Sequence, residues 1–258
     1  MNVRIMNPQE HLRMLHAIPQ HPQRSNEWFA QRMGRITTSD SGTIIGTNPY
    51  QKAIEVLFKK CGAGPPFTGN VATMHGQKYE SEAIDMYCRA MGKIHHEFGL
   101  IDYDSVARDE HSIRTYPNGI PWLAGSPDGV AEDALGLEDL VLLEIKCPYR
   151  RKIKLGECPE YYYSQVQLNM AILNINRADY IEYKPASGSN PLVLNIVRIQ
   201  RDNRWFDEHY PILRDFWESI IYWRQRDIQD HPEYLAYHKP EPTLRNPPMF
   251  LATTSDEE

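Results

Sequence analysis

The spacing of apolar residues predicts helices towards both ends of the chain and strands between them. Residues 25–34 combine helical spacing with a serine suited to cap the first turn and a closing glycine. Similar patterns predict helices over 37–46, 48–62, 71–91, 159–175 and 203–228. Runs of β-branched and apolar residues predict strands over 94–102, 111–116, 121–130, 140–147, 179–184 and 192–200. Thr38 or Ser39 is expected to cap the second helix, and Pro211 to kink or split the last one.

This order of elements indicates an α/β (α+β) fold with a mixed central β-sheet flanked by helices. One domain is expected over 25–229, because a chain of 258 residues is long enough to bury a single large core. Residues 1–24, rich in proline, histidine and glutamine, are expected to form a loosely held N-terminal arm. Residues 230–258, rich in proline and ending in acidic residues, are expected to form an extended or disordered tail.

Composition excludes several classes of protein. A chain that is 41% hydrophobic and 24% charged is not disordered throughout. The net charge of −6 argues against a protein that coats DNA without specificity, although it is compatible with a local basic groove. No run approaches ~18 consecutive apolar residues and the N-terminus lacks a signal pattern. We therefore expect a soluble intracellular protein with no membrane partner.

The four cysteines do not have the spacing of a metal cluster. They form no CxxC pair and lie at Cys61, Cys88, Cys147 and Cys158. A zinc ribbon or an iron–sulfur cluster is therefore disfavoured. Reduced thiols are the simpler interpretation.

Charged residues in an otherwise apolar strand are the most informative feature of the sequence. The segment 141–147 reads Val-Leu-Leu-Glu-Ile-Lys-Cys, so the two-residue period of a strand places Glu144 and Lys146 on one face. Asp128 follows Ser-Pro before a second apolar stretch. Burying unpaired charges costs several kcal/mol, and a divalent cation held by Asp128 and Glu144 beside Lys146 would remove that cost. The alternative is a partly exposed strand whose charged side chains are solvated.

Oxygen ligands of this kind suit Mg²⁺, which usually binds one or two carboxylates, water and substrate phosphate. The backbone carbonyl of Ile145 lies between Glu144 and Lys146 and adds a third oxygen. Such a metal makes a nucleophile from water and offsets charge on a phosphate, while Lys146 would hold the water or neutralise developing charge. The pattern therefore indicates metal-assisted phosphodiester cleavage.

The predicted helix over 71–91 supplies a further acidic residue. Gly76, Glu80, Ala83 and Tyr87 share one face of this helix. A glycine inside a helix costs ~1 kcal/mol relative to alanine, which would be explained if this face packed closely against a neighbour. Glu80 would then point towards the metal, although a surface glutamate is the alternative.

The predicted helix over 159–175 supplies an amide. Gln165 shares a face with Tyr161, Leu168 and Asn169. A buried glutamine needs a hydrogen-bond partner, and an attacking water or a phosphate oxygen would provide one. Gln167 points in another direction and is expected to be structural.

The motifs GxxYE, SPDG, EIKCP and YxxQVQ occur in this order. Together they resemble the λ-exonuclease-like, YqaJ-type viral recombinase branch of the PD-(D/E)xK nuclease superfamily, over roughly residues 25–225. The resemblance implies a restriction-endonuclease-like core and 5′→3′ digestion of linear double-stranded DNA with one or two Mg²⁺ ions, or Mn²⁺ instead. It also implies a viral or phage source, a single-strand annealing partner and a ring-shaped trimer.

Residue by residue, the resemblance assigns roles to the positions already singled out. Asp128 and Glu144, with the Ile145 carbonyl, become metal ligands, and Lys146 becomes the catalytic lysine. Glu80 becomes an outer acid that binds a second metal or its water. Gln165 becomes the residue that orients the nucleophile.

The segment WFAQRMGRITTSDSG (28–42) resembles the W…ARxGxxTAS segment of the same family. The resemblance assigns Arg32, Ser39 and Ser126 to a pocket for a 5′-phosphate. A guanidinium matches phosphate oxygens well, and the start of a helix adds N–H donors. Thr38 stands where the family pattern has alanine. Without the resemblance, a solvated arginine is the simpler interpretation of Arg32.

Three alternatives to a duplex exonuclease remain at this stage. The first two are a restriction-type endonuclease and a single-strand nuclease of the same superfamily. Some single-strand nucleases of this superfamily hold an iron–sulfur cluster with four grouped cysteines, and the cysteines of this chain lack that spacing. The third is a non-catalytic protein that binds DNA ends, against which the intact set of Asp128, Glu144 and Lys146 argues.

Overall fold

Two mixed β-sheets form the centre of the fold in the computed structural model, which describes residues 7–65, 69–108, 113, 115–136 and 138–238. The strands of this part of the chain are β1 (Ile36–Thr37), β2 (Lys93–His96), β3 (Ile101–Asp102), β4 (Leu123–Gly125), β5 (Gly129–Asp133), β6 (Val141–Lys146), β7 (Arg177–Lys184) and β8 (Val193–Gln200). The larger sheet has the order β2-β5-β6-β7-β8, in which only β6 and β7 are parallel neighbours. The smaller sheet has the order β1-β4-β3. The predicted mixed α/β architecture is confirmed.

Helices cover both faces of the larger sheet. They are α1 (Pro8–Ala17), α2 (Asn26–Met33), α3 (Thr38–Ile44), α4 (Ala53–Lys60), α5 (Val71–Met91), α6 (Glu160–Leu173), α7 (Asn203–Arg224) and α8 (Tyr234–Tyr237), with 3₁₀ turns at Tyr103–Ser105 and Ile228–Asp230. Within the described residues, no helix combines the length and the apolar surface needed to cross a membrane.

Strand β6 is buried on both faces, and its side chains alternate between two hydrophobic clusters. Leu143 and Ile145 belong to the cluster under α5, which includes Tyr87. Leu142 belongs to the larger cluster that contains Met170 of α6. Glu144 points to the same side as Leu142 and meets Asn169 of α6. The predicted separation of Glu144 from Leu143 and Ile145 is confirmed.

Helix α5 has the predicted bounds because local signals define both of its ends. The side chain of Asn70 accepts a hydrogen bond from Thr73 N and caps the first turn. Gly92 ends the helix with φ of +62°, a left-handed conformation that glycine adopts readily.

Two predicted strands are each divided between the two sheets. The segment 94–102 forms β2 and β3, and 121–130 forms β4 and β5. Pro127 has no N–H to donate to a neighbouring strand, and Ser126 Oγ donates instead to Gly99 O at 3.1 Å. The chain therefore leaves one sheet and enters the other at 126–128.

Three local predictions were wrong at their boundaries. Helix α3 is capped by Thr37 rather than Thr38 or Ser39, because the Asp40 carboxylate accepts hydrogen bonds from the Thr37 amide and hydroxyl. Residues 48–52 are not helical, since the Asn48 side chain accepts from Tyr50 N and forms a turn. The last helix ends at Arg224 instead of 228; it continues through Pro211 and is not split there, while the kink stays a prediction.

The predicted strand over 111–116 is also not found. Residues 111, 112 and 114 lie outside the described part of the chain, and Ile113 and Thr115 are helical. Both are exposed, so no buried sheet face favours an extended conformation there.

The expectation of a loosely held N-terminal arm was wrong for residues 8–24. Helix α1 buries Leu12 and Leu15, which share one face at a spacing of three residues, in the main core. Further along, Gln23 Nε2 donates to Phe98 O at 2.8 Å and to Pro127 O at 3.0 Å. This segment therefore fixes the backbone next to Asp128.

The start of the predicted C-terminal tail is also folded. The rings of Tyr234 and Tyr237 lie 5.8 and 4.7 Å from that of Phe58, which is fully buried. Aromatic contacts of this kind stabilise the chain as far as residue 238. Residues 239–258 lie outside the described residues.

The packing of α1 leads to a prediction about stability. Leu15→Ala should lower the free energy of unfolding by ~2–5 kcal/mol, because it leaves a cavity in the main core. Arg13→Ala, an exposed position on the same helix, should change it by no more than ~0.5 kcal/mol. Urea denaturation followed by circular dichroism measures both, and equal small effects would show that α1 is not part of the core.

Candidate active site

The register of the β5–β6 hairpin brings Asp128 and Glu144 together. Gly129 pairs with Leu143 as the last pair of the hairpin, which places Asp128 opposite Glu144. Beyond this pair β6 continues alone on that edge, while its other edge still pairs with β7 as far as Lys146. The Ile145 amide, which lies beyond the last β5–β6 pair, donates to Asp128 Oδ2 at 2.7 Å. Because the N–H and C=O of a strand residue point to the same edge, the Ile145 carbonyl also faces this position.

Lys146 and Glu144 form an ion pair at the centre of the site. Lys146 Nζ lies 2.5 Å from Glu144 Oε1, and the Glu144 side chain is completely buried. Asn169 Nδ2 donates to the other carboxylate oxygen at 3.2 Å. The ammonium also lies 4.9 Å from the centre of the Tyr162 ring. Glu144 is therefore held between α6 and Lys146.

The site carries more negative charge than Lys146 balances. Burial, followed by the charge of Glu144, raises the pKa of Asp128 to about 7. Burial alone would lower the pKa of Lys146, but the carboxylates of Glu144 and Asp128 outweigh it and raise that pKa above its ordinary value. A further cation beside Asp128 would favour its charged form.

The donor atoms fit a hard divalent cation. Two carboxylates and the Ile145 carbonyl, which faces the same edge, offer only oxygen atoms, and burial together with Glu144 disfavours the charged form of Asp128. Within the described residues, no group of three His, Cys, Asp or Glu side chains forms a complete metal cage. Mg²⁺-type sites need only one or two carboxylates, because water and substrate oxygens complete them.

Glu80 lies in the same cleft, which has a volume of about 380 Å³ and is also lined by Asp128 and Lys146. Its carboxylate accepts a hydrogen bond from Arg24 Nη2 at 2.7 Å. Sequence reasoning missed Arg24, because it belongs to the segment interpreted as a loose arm. The face of α5 that carries Glu80 packs closely at Ala83 and Tyr87, which are buried. At Gly76 it does not, because no described atom beyond the neighbouring residues and the backbone of its own helix lies within 4 Å of the position that a Cβ would occupy.

Arg32, Ser39 and Ser126 surround Trp28. Arg32 Nη2 donates to Ser39 Oγ at 2.7 Å, and its guanidinium lies 4.4 Å from the centre of the Trp28 ring. Trp28 Nε1 donates to Ser126 Oγ at 3.1 Å. The structure therefore brings together all three residues that the family resemblance grouped.

A basic pocket adjoins this cluster. It has a volume of about 500 Å³, and its cationic lining residues are Arg24, Arg32, Lys59 and Lys60. Arg24 and Gln77 line both the basic pocket and the cleft. An anion in the pocket would therefore lie next to the carboxylates and Lys146.

Comparison with known proteins places these features in a family. The model of the YqaJ-like viral recombinase domain matches residues 27–179, more than half of the chain. The chain belongs to this family. The matched residues include Arg32, Glu80, Asp128 and Lys146.

Relatives of the YqaJ-like domain include viral proteins. An uncharacterised protein of Acanthamoeba polyphaga mimivirus is 33% identical over 184 residues, covering 67% of this chain and 31% of that protein. A protein of African swine fever virus is 28% identical over 173 residues, covering 58% and 46%. The chain thus spans less than half of the length of either relative.

The YqaJ-like domain also resembles a solved structure. An alkaline exonuclease from Laribacter hongkongensis has 25% sequence identity and a TM-score of 0.61, with 78% of this chain and 95% of that chain covered. The same exonuclease has been solved in complex with dAMP.

On helix α6 of the YqaJ-like domain, the structure separates the amides into different roles. Gln167 is structural as predicted, since it donates to Gln200 O and accepts from Asp202 N, both at 2.9 Å. Gln165 is half-buried, but among the described residues that line the cleft this helix contributes Tyr162 and not Gln165. Asn169, one turn further on the same face, is the amide that contacts Glu144. Its position was visible in the sequence, but its contact with Glu144 was not.

His95 was also missed by sequence reasoning. Its Nε2 lies 3.0 Å from Asp128 O, within hydrogen-bonding distance. A Cβ on Gly129 would overlap with the imidazole ring, so glycine at this position allows His95 to approach. His95 therefore helps to fix the backbone that carries Asp128.

A buried ion pair supports the wall of the basic pocket. Lys60 Nζ lies 2.8 Å from Asp40 Oδ2 and donates to Arg32 O at the same distance. Burial alone would raise the pKa of Asp40, but Lys60 and Arg32 outweigh it and lower the pKa from 3.8 to about 2. The charged form of Asp40 is therefore favoured in the folded protein.

This ion pair predicts a specific dependence of stability on pH. Because its pKa is lower in the folded state, Asp40 stabilises the fold above pH ~4, and this contribution is lost as the pH falls towards ~2. A shift of roughly two units corresponds to ~2.5 kcal/mol. Urea denaturation should show a stability gap between wild type and Asp40→Asn at pH 6 that narrows below pH ~4 and closes only below pH ~2. A gap that does not depend on pH would contradict the ion pair.

Proposed function

We propose that this chain is a divalent-metal-dependent deoxyribonuclease that digests linear double-stranded DNA in the 5′→3′ direction from 5′-phosphorylated ends. Its product would be single strands for recombination by strand annealing. The observation that carries the proposal is the hairpin end, where Asp128 lies opposite Glu144 with Lys146 beside them. Membership of a viral recombinase family and similarity to an alkaline exonuclease support it.

In this proposal the described side chains have complementary roles. Asp128, Glu144 and the Ile145 carbonyl hold a divalent cation, which when bound activates water and offsets charge on the scissile phosphate. Lys146, oriented by its ion pair with Glu144, neutralises charge that develops on the phosphate. Glu80 supplies an outer acid, and the role of Gln165 in orienting the nucleophile stays a prediction of the family resemblance.

The basic pocket would select the DNA end. Its adjacency to the cleft supports binding of a terminal 5′-phosphate by Arg32 and Ser39, with Ser126 positioning Trp28 beneath the guanidinium. Because the pocket and the cleft share Arg24 and Gln77, a phosphate held in the pocket would keep the terminal nucleotides next to the cleft. Magnesium as the physiological ion, a ring-shaped trimer and an annealing partner stay predictions of the family resemblance.

The first functional prediction concerns the catalytic hairpin. Asp128→Asn, Glu144→Gln and Lys146→Ala should each lower cleavage of linear duplex DNA in Mg²⁺ by at least ~100-fold, because each removes a ligand or a charge that acts in the transition state. Lys154→Ala and Glu208→Gln make matched changes at exposed positions and should cleave normally. Release of labelled nucleotides measures the rate, and circular dichroism confirms folding.

A covalently closed circle provides the control for end dependence. It should survive conditions that digest the linear duplex, and chelation of the metal should stop digestion. Near wild-type cleavage by any of the three hairpin variants would refute the catalytic assignment. Rapid nicking of the closed circle would instead identify an endonuclease.

The second functional prediction concerns the 5′ end. A charge-assisted contact contributes ~1.5–3 kcal/mol, so a 5′-phosphorylated duplex should be digested about ten- to a hundredfold faster than a 5′-hydroxyl duplex. Arg32→Ala should remove most of this preference and change the rate on the hydroxyl substrate little. Paired rate measurements on the two substrates test this.

Arg204→Ala is the matched control, since this arginine is exposed on α7 and should keep the preference. If Arg32→Ala slows both substrates equally, Arg32 is a structural residue. If the wild type does not distinguish the two ends, the pocket does not bind the 5′-phosphate.

A further inference from the structure

A second surface adjoins the cleft and is rich in aromatic residues. This tyrosine groove has a volume of about 570 Å³, and its tyrosine and arginine lining residues are Tyr50, Tyr149, Arg150, Arg151, Tyr161 and Tyr162. It shares Tyr149 and Tyr162 with the cleft but no lining residue with the basic pocket. The cleft therefore connects the basic pocket to the tyrosine groove.

One row of rings leads from Lys146 to solvent along the tyrosine groove. The Tyr162 ring centre lies 4.9 Å from Lys146 Nζ and 4.4 Å from the centre of the Tyr161 ring. Tyr161 in turn lies 5.6 Å from Tyr50, ring centre to ring centre. Tyr50 is 76% exposed. The row thus begins at the candidate catalytic lysine and ends in an aromatic surface that the fold does not cover.

The second exposed ring of the tyrosine groove belongs to Tyr149. It lies three residues after Lys146, just beyond the end of β6, and is 44% exposed. The guanidinium of Arg150 lies 5.6 Å from its ring centre. Arg151 forms an ion pair with buried Glu182, so its charge is already balanced within the fold. The groove thus offers two accessible rings with a cation next to one of them.

Exposed tyrosines beside an arginine match the chemistry of an unpaired nucleic acid strand. Bases stack on aromatic side chains without regard to sequence, while cations contact the backbone phosphates. In a duplex, neighbouring base pairs already occupy the faces of each base. Away from the terminal base pair, rings on a protein surface can therefore stack only on bases that are unpaired.

We propose that the tyrosine groove binds unpaired nucleotides of a DNA strand, with bases stacked on Tyr50 and Tyr149 and a phosphate beside Arg150. This inference rests on the proposed nuclease function, because it takes DNA to be the substrate in the adjoining cleft. The unpaired stretch belongs either to the strand that is digested or to the strand that is left. The chemistry of recognition is the same for both.

The test is equilibrium binding of the full chain to three labelled DNA molecules in EDTA, where no cleavage occurs. The three molecules are a blunt duplex, the same duplex with a 5′ single-stranded overhang and the same duplex with a 3′ overhang. Fluorescence anisotropy of the label measures binding. The wild type should prefer an overhang, and Tyr50→Ala should weaken that binding by about tenfold. Tyr50→Ala/Tyr149→Ala should weaken it further, and by a larger factor than it weakens blunt-duplex binding. The overhang that is affected identifies the strand.

Three controls isolate stacking. Tyr50→Phe keeps the ring and should bind like the wild type. Tyr222→Ala removes another exposed tyrosine with an arginine 3.6 Å from its ring centre, outside the tyrosine groove, and should also bind normally. The wild type should bind an overhang made of abasic nucleotides only as well as the double variant Tyr50→Ala/Tyr149→Ala binds the normal overhang.

Two outcomes would overturn the groove as a single-strand site. The first is a wild type that binds neither overhang more tightly than the blunt duplex. The second is a double variant whose affinity for all three molecules is unchanged or is reduced by the same factor. Cleavage is measured separately with the wild type in Mg²⁺. Loss of overhang binding in the variant supports the groove even if no cleavage is detected. If the wild type digests DNA normally and the double variant binds the overhangs as the wild type does, the proposed function stands and the groove is not a single-strand site.

Discussion

The hydrogen bond from the Ile145 amide to the Asp128 carboxylate is the contact on which the candidate site depends. It forms because β5 begins at Gly129, so the neighbouring edge of β6 has no strand to pair with beyond Leu143. A backbone amide inside a protein must have a partner, and Asp128 provides it. The same contact places the carboxylate beside Glu144. A shift of one residue in the register would turn every side chain of β5 to the opposite face and separate the two acids.

Elements from distant parts of the chain hold this arrangement in place. His95 of β2 reaches the Asp128 carbonyl, and Gln23 reaches that of Pro127. Asn169 of α6 contacts Glu144 from the other side. These contacts fix the positions of the two acids, but Lys146 does not fully balance their negative charge. Burial and the charge of Glu144 therefore raise the pKa of Asp128. A rigid group of oxygen atoms that lacks positive charge is well suited to bind a cation.

Local signals were reliable where neighbouring residues determine the conformation. Helix α5 begins after Asn70 and ends at Gly92 as predicted, since a cap and a left-handed glycine act within one turn. The two faces of β6 were also predicted, because alternation is a property of the strand alone. The predictions were wrong where a distant contact decides the conformation. Residues 8–17 have a helix cap of their own at Asn7, but it is packing in the main core that buries Leu12 and Leu15 and holds the segment. The break at Pro127 separates two sheets that look like one strand in the sequence.

By itself the sequence determined the mixed α/β class, the motifs shared with the YqaJ-like family, and the acids and lysine of the candidate site. These follow from residue type and short-range spacing, which folding does not change. Only the tertiary structure decided the partners of these residues: Arg24 for Glu80, Asn169 for Glu144, and the row of rings from Lys146 to Tyr50. Apart from the contact between the adjacent Tyr161 and Tyr162, these contacts join residues at least sixteen positions apart in the chain. Their distances depend on sheet register and helix packing, which the burial of the whole core selects and no local pattern encodes.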